Sequence, residues 1–334
     1  MIISEYVRVL KARGWMKRNM PFLYSWHAYV GYELDLYEAF RKPKTVEEAA
    51  KELSLKEDLL ERWVDVGLAI HYLKRTSKEQ FKTARSFMLP SSKKDPRSTG
   101  VLLKEMMELH IPTLLSYPKL MQTKSKVKQT FDHQQHGPVV AETSALLEQV
   151  AYPKIAGLIK KNSMKKIIDA GCGHGGYLKR LSEVFPDLQM TGIELNDQVA
   201  KEAGSRCTSC SNIKVECADA LSYQPQEKAD CVMINNLLHY LSPETRIALF
   251  RQMALWLTEG GMISVITPIQ HSRHGKQFSS VFNSFFAAFE NLYPVPDEEE
   301  LKIIADSAGM TITDFRPVVK EGGWYFLTME RIGD

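Results

Sequence analysis

Nowhere in this 334-residue chain is there an apolar run of the length a bilayer span requires, which argues against a helical membrane protein. The opening residues, MIISEYVRVLKARGW, lack a signal peptide's continuous apolar core and mix charges with apolar residues at helical spacing, so a cytoplasmic protein is expected. A charge excess is also missing. The 43 basic and 40 acidic residues leave a net +3, too small a surplus to imply a polyanionic partner unless a basic patch is concentrated locally. Cysteine is sparse and odd in number, at five, which favours reduced thiols over a disulfide framework. Cys207, Cys210 and Cys217 have the spacing of a zinc half-site, but the pair or histidine that would close it is absent nearby, and no metal is expected. There is no obvious repeat.

Hydrophobic content of 44% and charged content of 25% sit near soluble globular averages, and the length exceeds one typical domain. Residues 1–105 read as short helices punctuated by Pro21, Pro43 and Pro90. Thr45 with Glu48 and Ser54 with Glu57 both fit the S/T-x-x-E capping box, so two helices are expected to start in succession, a helix-turn-helix spacing. YLKRTSKEQFKTAR could follow as a small wing. The second helix carries Glu57, Asp58, Glu61 and Asp65 against Arg62 alone, a sign that phosphates would repel. Packing or dimerisation is therefore favoured over nucleic-acid binding.

Residues 106–160 read as a helical connector, EMMELHIPTLLSYPKLM and then AETSALLEQVAYPKIAGLIKK. After that the period changes. KKIIDAG, LQMTGIEL, IKVECADA, ADCVMINN and MISVITPI are short apolar runs separated by helical segments such as SPETRIALFRQMALWLTEGG, the pattern of a doubly wound parallel α/β sheet. TITDFRPVV and WYFLTMERI are joined only by KEGG, which leaves no room for a crossover helix and predicts an antiparallel closing hairpin.

IIDAGCGHGGYL places Gly171, Gly173, Gly175 and Gly176 between a predicted strand and a predicted helix. Gly171, Gly173 and Gly176 fit the dinucleotide fingerprint, while Gly171, Gly173 and Gly175 fit the G-x-G-x-G loop of enzymes that use S-adenosylmethionine (SAM). Glu194, at the end of the next strand, suits ribose hydroxyls in either case. Three features favour SAM. Asp169 stands two residues before the first glycine, where a carboxylate suits an ammonium and a sulfonium better than a pyrophosphate; Asp219 ends the third strand, where it could face adenine; and the sheet closes with a hairpin.

On these motifs, residues 166–331 resemble class I SAM-dependent methyltransferases. GYELDLYEAF, KTVEEAAKELSL and LLERWVDVGLAIHYL are similar to the winged-helix dimerisation domain of small-molecule O-methyltransferases of the plant caffeate and animal acetylserotonin type, with bacterial secondary-metabolite relatives. The resemblance implies a mainly α-helical winged-helix domain over 1–105, a connector and active-site lid over 106–160, and a catalytic domain over 161–334 with a seven-stranded Rossmann-like sheet. It further implies a homodimer, SAM as cofactor with S-adenosylhomocysteine as product, and a cofactor set of Asp169, Gly171, Gly173, Gly175, Glu194, Asp219, Ala220 and Asn235. A membrane or nucleic-acid partner is not expected.

In that family a histidine after the fourth strand deprotonates the acceptor hydroxyl, and His239 in NNLLHYLSPE matches it. Tyr240 and Thr267 stand where the family has carboxylates, which leaves the imidazole less fixed in tautomer and angle. His133 and His136, in TFDHQQHGPVV, could hold a metal only with further ligands, and Asp132 and Glu142 make an incomplete set. A lid whose His133 or His136 touches substrate or cofactor is favoured, against a loop with locally bonded histidines. Phe278, Phe282, Phe285, Phe286 and Phe289 recur at helical spacing, which is core more often than pocket; by resemblance the segment walls an apolar, aromatic acceptor site. His271 and His274 fit the surface. Methyl transfer to a small-molecule hydroxyl is the leading expectation, with N- or C-methylation, or a non-catalytic SAM-binding regulator, as alternatives.

Overall fold

The structure, a computed structural model, describes residues 2–95, 97–123 and 128–331. The chain divides into two compact units, Met1–Pro112 and Thr113–Asp334, with the boundary inside the stretch read as a connector. Among the described residues no helix is long and apolar enough to cross a membrane.

The first unit opens with α1 (Ile2–Glu33), which runs unbroken through Pro21. The sequence expectation of short helices is corrected here. A proline removes one N–H donor and crowds one carbonyl, and this long helix absorbs both without ending. After α2 (Leu36–Ala39) come α3 (Val46–Leu53) and α4 (Glu57–Ala69), then the expected wing, an antiparallel hairpin of β1 (Leu73–Arg75) and β2 (Phe81–Thr83). The lone cation of α4, Arg62, pairs with Asp65 at 3.0 Å and with Glu61, so the helix presents no free basic stripe. His27 is fully buried and stacks on Trp63 with ring centroids 4.2 Å apart, while its Nδ1 meets the Tyr37 hydroxyl at 2.8 Å. Burial holds it well below the usual histidine range, at about 4, so it packs as a neutral aromatic ring.

Only the first of the two expected capping boxes forms. The Glu48 N–H donates to Thr45 Oγ1 at 3.1 Å and the Thr45 N–H to Glu48 Oε2 at 2.8 Å. Ser54 instead ends α3 in the left-handed region at φ 55°, and the following Leu55 N–H reaches back to the Ala50 carbonyl at 2.8 Å. A residue spent on that turn cannot cap α4, whose N-cap is Lys56. Thr45→Ala is therefore expected to cost about 1 kcal/mol, whereas Ser54→Gly should stabilise by a few tenths to about 1 kcal/mol. Thermal melts moving in opposite directions would establish the difference; equal shifts would refute it.

Short helices α5 (Gly100–Glu105), α6 (Ile111–Leu115) and α7 (Tyr117–Leu120) follow, with a π-turn over Met106–His110 between α5 and α6. The second unit is built on α8 (His133–Asn162), β3 (Lys166–Ala170), α9 (Gly176–Val184), β4 (Gln189–Glu194), α10 (Asp197–Arg206), β5 (Ile213–Cys217), β6 (Ala229–Asn235), α11 (Pro243–Leu255), β7 (Leu257–Pro268), α12 (Lys276–Ala287), α13 (Glu298–Ser307), β8 (Met310–Val319) and β9 (Trp324–Arg331). The sheet order is β5-β4-β3-β6-β7-β9-β8, parallel except for β9, which runs against both neighbours as the short KEGG connection demands. Gly260 and Gly261, the end of a stretch read from the sequence as helical, lie within β7, where the β6–β7 register shifts.

Alternate strand residues feed two cores. Ile167 joins Ala151, Ile155 and Leu178 from α8 and α9, while Ile168 faces Leu249, Phe250 and Ile304 from α11 and α13. This is the two-sided cover that the sequence pattern implied. It leaves the carboxyl ends of β3 to β6 open at the switch between β3 and β6, the place where such sheets hold ligands.

Candidate active site

Backbone demands explain the glycine loop. Gly171, Gly173 and Gly175 have φ of 78°, 52° and 72°, a region that side chains with a Cβ rarely adopt. At Gly171 a Cβ would also fall 2.9 Å from the Leu237 side chain. The loop is tied to β4 through Gly171 and Cys172 N–H groups, which donate to the Ile193 carbonyl at 2.8 and 3.0 Å. Glu194, half-buried at the end of β4, accepts from the Gly173 N–H at 3.1 Å and from the Asn196 N–H at 2.9 Å. These bonds aim its carboxylate across the loop. Asp219 lies two residues beyond β5, exposed, with its carboxylate accepting from the Leu221 N–H, and Ala220 beside it is half-buried.

Several polar atoms here are buried without a partner among the described residues. Asp169, the penultimate residue of β3 before the loop, is 1% exposed and its Oδ1 accepts nothing; Asn235, at the end of β6, leaves both amide atoms unbonded; the Tyr177 hydroxyl is likewise unpaired. Burying such groups costs free energy unless something completes them, so their convergence around one loop marks a place for a polar ligand. Burial, and then the charges of Glu148 and Glu194, push the Asp169 carboxyl up to about 8. A cation would find this position ready.

His239 sits on the turn Leu238–Tyr240 that follows β6, 7% exposed. That turn is anchored by the buried Arg246, whose Nε donates to the Leu238 carbonyl at 2.8 Å while its other nitrogens reach Glu300 and the Pro294 carbonyl. Among the described residues no carboxylate orients the imidazole. The ring is instead stacked on Phe286, with centroids 4.5 Å apart and planes 15° from parallel, and it lies 4.2 Å from the Tyr240 ring. Among the described residues Nδ1 has no hydrogen-bond partner. Thr267, at the position of the missing glutamate, spends its hydroxyl on the adjacent Pro268 carbonyl. Burial, then the charge of Arg246, lowers His239 to about 3, so the ring is neutral at ordinary pH.

His133 and His136 do not lie in a loop before the helix; they occupy the first turn of α8, which the Asp132 carboxylate caps by accepting from the Gln134 and Gln135 N–H groups at 2.9 and 3.1 Å. The preceding strand of chain is pinned down. Phe131 exchanges hydrogen bonds with the Asn291 side chain, and the Glu290 N–H donates to the Gln129 carbonyl at 3.0 Å. Phe131 is consequently sandwiched near both histidines, at 5.0 and 5.4 Å, and His133 reaches the Tyr240 ring at 5.4 Å. The structure thus places His133 one aromatic ring away from His239. Among the described residues no group of three or more His, Cys, Asp or Glu side chains is arranged to hold a metal.

The phenylalanine stripe divides. Phe285, Phe286 and Phe289 are buried, while Phe278 and Phe282 are half-exposed and lie 5.7 and 5.6 Å from Trp324, whose indole N–H donates to Asn236 Oδ1 at 2.9 Å. Trp324 and Asn236 were not anticipated from the sequence. Asn236 carries one cue, a positive φ of 53°, but φ is a property only the folded chain reveals. His271 is exposed and His274 half-buried.

Residues 167–261 match the methyltransferase domain family. Malonyl-[acyl-carrier protein] O-methyltransferase 2 of Ilyobacter polytropus is 24% identical over 141 residues, 42% of this chain and 52% of that protein, so the chain spans about half the length of this curated relative. Two solved structures share the fold over nearly the full length. An O-methyltransferase family protein from Burkholderia thailandensis superimposes with a TM-score of 0.78 at 15% identity, covering 96% of this chain and 98% of that one. Human N-acetylserotonin methyltransferase, in complex with SAM, gives 0.75 at 14% identity, covering 98% of each chain. The fold expected from the sequence is borne out by both.

Proposed function

We propose that the chain is a SAM-dependent methyltransferase that methylates a hydroxyl of an apolar or aromatic small molecule in secondary metabolism. The observation that carries the cofactor is the set of buried, unpartnered polar atoms on Asp169 and Asn235 beside a glycine loop held at positive φ. These residues fit the group chemically. Asp169 would face its ammonium, Glu194 its ribose hydroxyls, Asp219 and Ala220 its adenine, and the Asn235 amide would gain the partner it lacks, while the glycines give the backbone close approach. When bound, SAM supplies a methyl group activated on a sulfonium.

The remaining work falls to the chain's own residues. His239, neutral and free at Nδ1, would take the acceptor's hydroxyl proton, and its stack on Phe286 would hold the ring at the required angle in place of a carboxylate. Phe278, Phe282 and Trp324 would wall a flat apolar acceptor and exclude water. Isotopically labelled methyl should pass from SAM into a low-mass product in an extract of small molecules. Saturable SAM binding without such a product would overturn the small-molecule assignment.

Homodimerisation in the cytoplasm belongs to the same proposal. Along α1, Tyr6, Trp15 and Met16 are 64, 63 and 71% exposed, apolar surface spread around the helix that a second copy would cover. Light scattering on the eluted protein should give twice the chain mass, and Trp15→Glu with Met16→Glu should halve it. A wild-type monomer at micromolar concentration would refute the dimer.

A further inference from the structure

Glu148 lies on α8, away from the glycine motif in sequence and absent from every pattern that pointed to it. Packing of α8 on α9 brings its carboxylate against Gly176, the first residue of α9. A Cβ placed on Gly176 would fall 2.1 Å from Glu148 Oε2 and 2.5 Å from Oε1. The second glycine of the GG pair is therefore needed for a reason the loop templates do not contain: it leaves room for this carboxylate. Gly176 has no positive φ, so the space, rather than the backbone, is what glycine provides.

The carboxylate is not used up by the protein. It makes no hydrogen bond or ion pair among the described residues, although Arg180 and Arg206 face it from α9 and α10. It lines a cavity of about 530 Å³ at the start of α9, together with His174, Gly175, Gly176 and the cationic side chains of Lys179, Arg180 and Arg206. Within electrostatic reach of it stand the wholly buried Asp169 with its unpartnered Oδ1 and the unpartnered hydroxyl of Tyr177. The two carboxylates repel each other in a desolvated setting; Arg180 and Arg206 offset the charge of Glu148, and among the described residues no cationic side chain offsets that of Asp169.

We infer that Glu148 recognises the ammonium of the cofactor's amino-acid end, acting with Asp169 as a pair of carboxylates that close on that cation from α8 and β3. The inference rests on the SAM assignment and adds to it a residue from outside the nucleotide-binding strands. A shared ammonium turns the repulsion of the pair into two attractions, so the site selects ligands that keep the amino acid over nucleosides that lack it.

Calorimetry with S-adenosylhomocysteine and with 5′-methylthioadenosine, the neutral nucleoside thioether without the amino-acid end, tests this on the full chain. Glu148→Gln, nearly isosteric, should weaken S-adenosylhomocysteine about 10-fold or more and leave methylthioadenosine within about 2-fold, since removing one charged partner of a desolvated ion pair costs at least that much. Gly176→Ala should do the same by displacing the carboxylate with a methyl group, a change the flexible end of Glu148 can accommodate. Unchanged S-adenosylhomocysteine affinity in Glu148→Gln, or equal weakening of both ligands, overturns the role of Glu148 while the cofactor assignment stands. A wild-type protein that binds neither ligand overturns the cofactor assignment and this inference with it.

Discussion

Asp169→Asn is expected to give a ligand-free protein that melts above the wild type at pH 8 and beyond, yet binds SAM at least about 100-fold more weakly. The first half follows from linkage. Burial and the neighbouring charges of Glu148 on α8 and Glu194 on β4 raise this carboxyl from 3.8 in the unfolded chain to about 8 in the folded one; the other titratable groups facing it, Tyr177 on α9, Cys172 in the loop and Cys231 on β6, are neutral. Between these values the folded state holds a proton that the unfolded state has released. Wild-type stability must therefore fall as pH rises from about 4 to about 8, by up to about 1.4 kcal/mol per pH unit, and stay low above that. Asparagine never ionises and should remove the slope. The second half follows from charge, because the residue that costs stability is the one a bound ammonium would reward. Parallel melting curves for the two proteins across pH 5 to 9, or equal SAM affinity, would sink the assignment.

Replacing His239 with Asn should lower kcat about 100-fold while leaving S-adenosylhomocysteine affinity unchanged. General bases contribute about 10² to 10⁴. The lower end applies here, since a ring lowered to about 3 is a weak base for a hydroxyl, and more of the rate must come from alignment. The same lowering fixes the pH behaviour. A histidine at about 3 folded and 6.5 unfolded is neutral wherever the enzyme is assayed, so kcat/KM should show no acid limb from His239 between pH 5 and 8. Stability should instead fall as pH drops below about 6.5, because the unfolded state then takes up a proton that the folded state refuses. Activity within about 2-fold of wild type in the variant would remove His239 from the chemistry, and a limb near pH 6.5 would show that the ring is not desolvated as described.

The sequence by itself determined those features that are written locally. Strand and helix declare themselves by period, and the KEGG link between the last two strands is too short for anything but a hairpin, which is how β8 and β9 lie. Gly171, Gly173 and Gly175 were legible as glycines at a fixed spacing between a strand and a helix, at φ values that side chains with a Cβ rarely adopt, and Asp169 and Glu194 because each stands at the end of a strand beside that loop. The Ser54 cap failed because one motif match cannot tell the start of a helix from the turn that ends the previous one; the chain needed that residue at φ 55°.

Tertiary structure alone decided the rest. Whether His133 belongs near His239 depends on how Gln129 to Phe131 are pinned beside α12, a contact between segments about 160 residues apart that no local pattern encodes. What orients His239 was likewise invisible: the sequence showed two missing carboxylates, and only packing revealed that Phe286 supplies a flat surface in their place. Glu148 carries no motif at all. Its carboxylate reaches the loop because α8 packs on α9 where Gly176 leaves a gap, and a contact made by helix packing is recorded in shape and volume rather than in spacing along the chain.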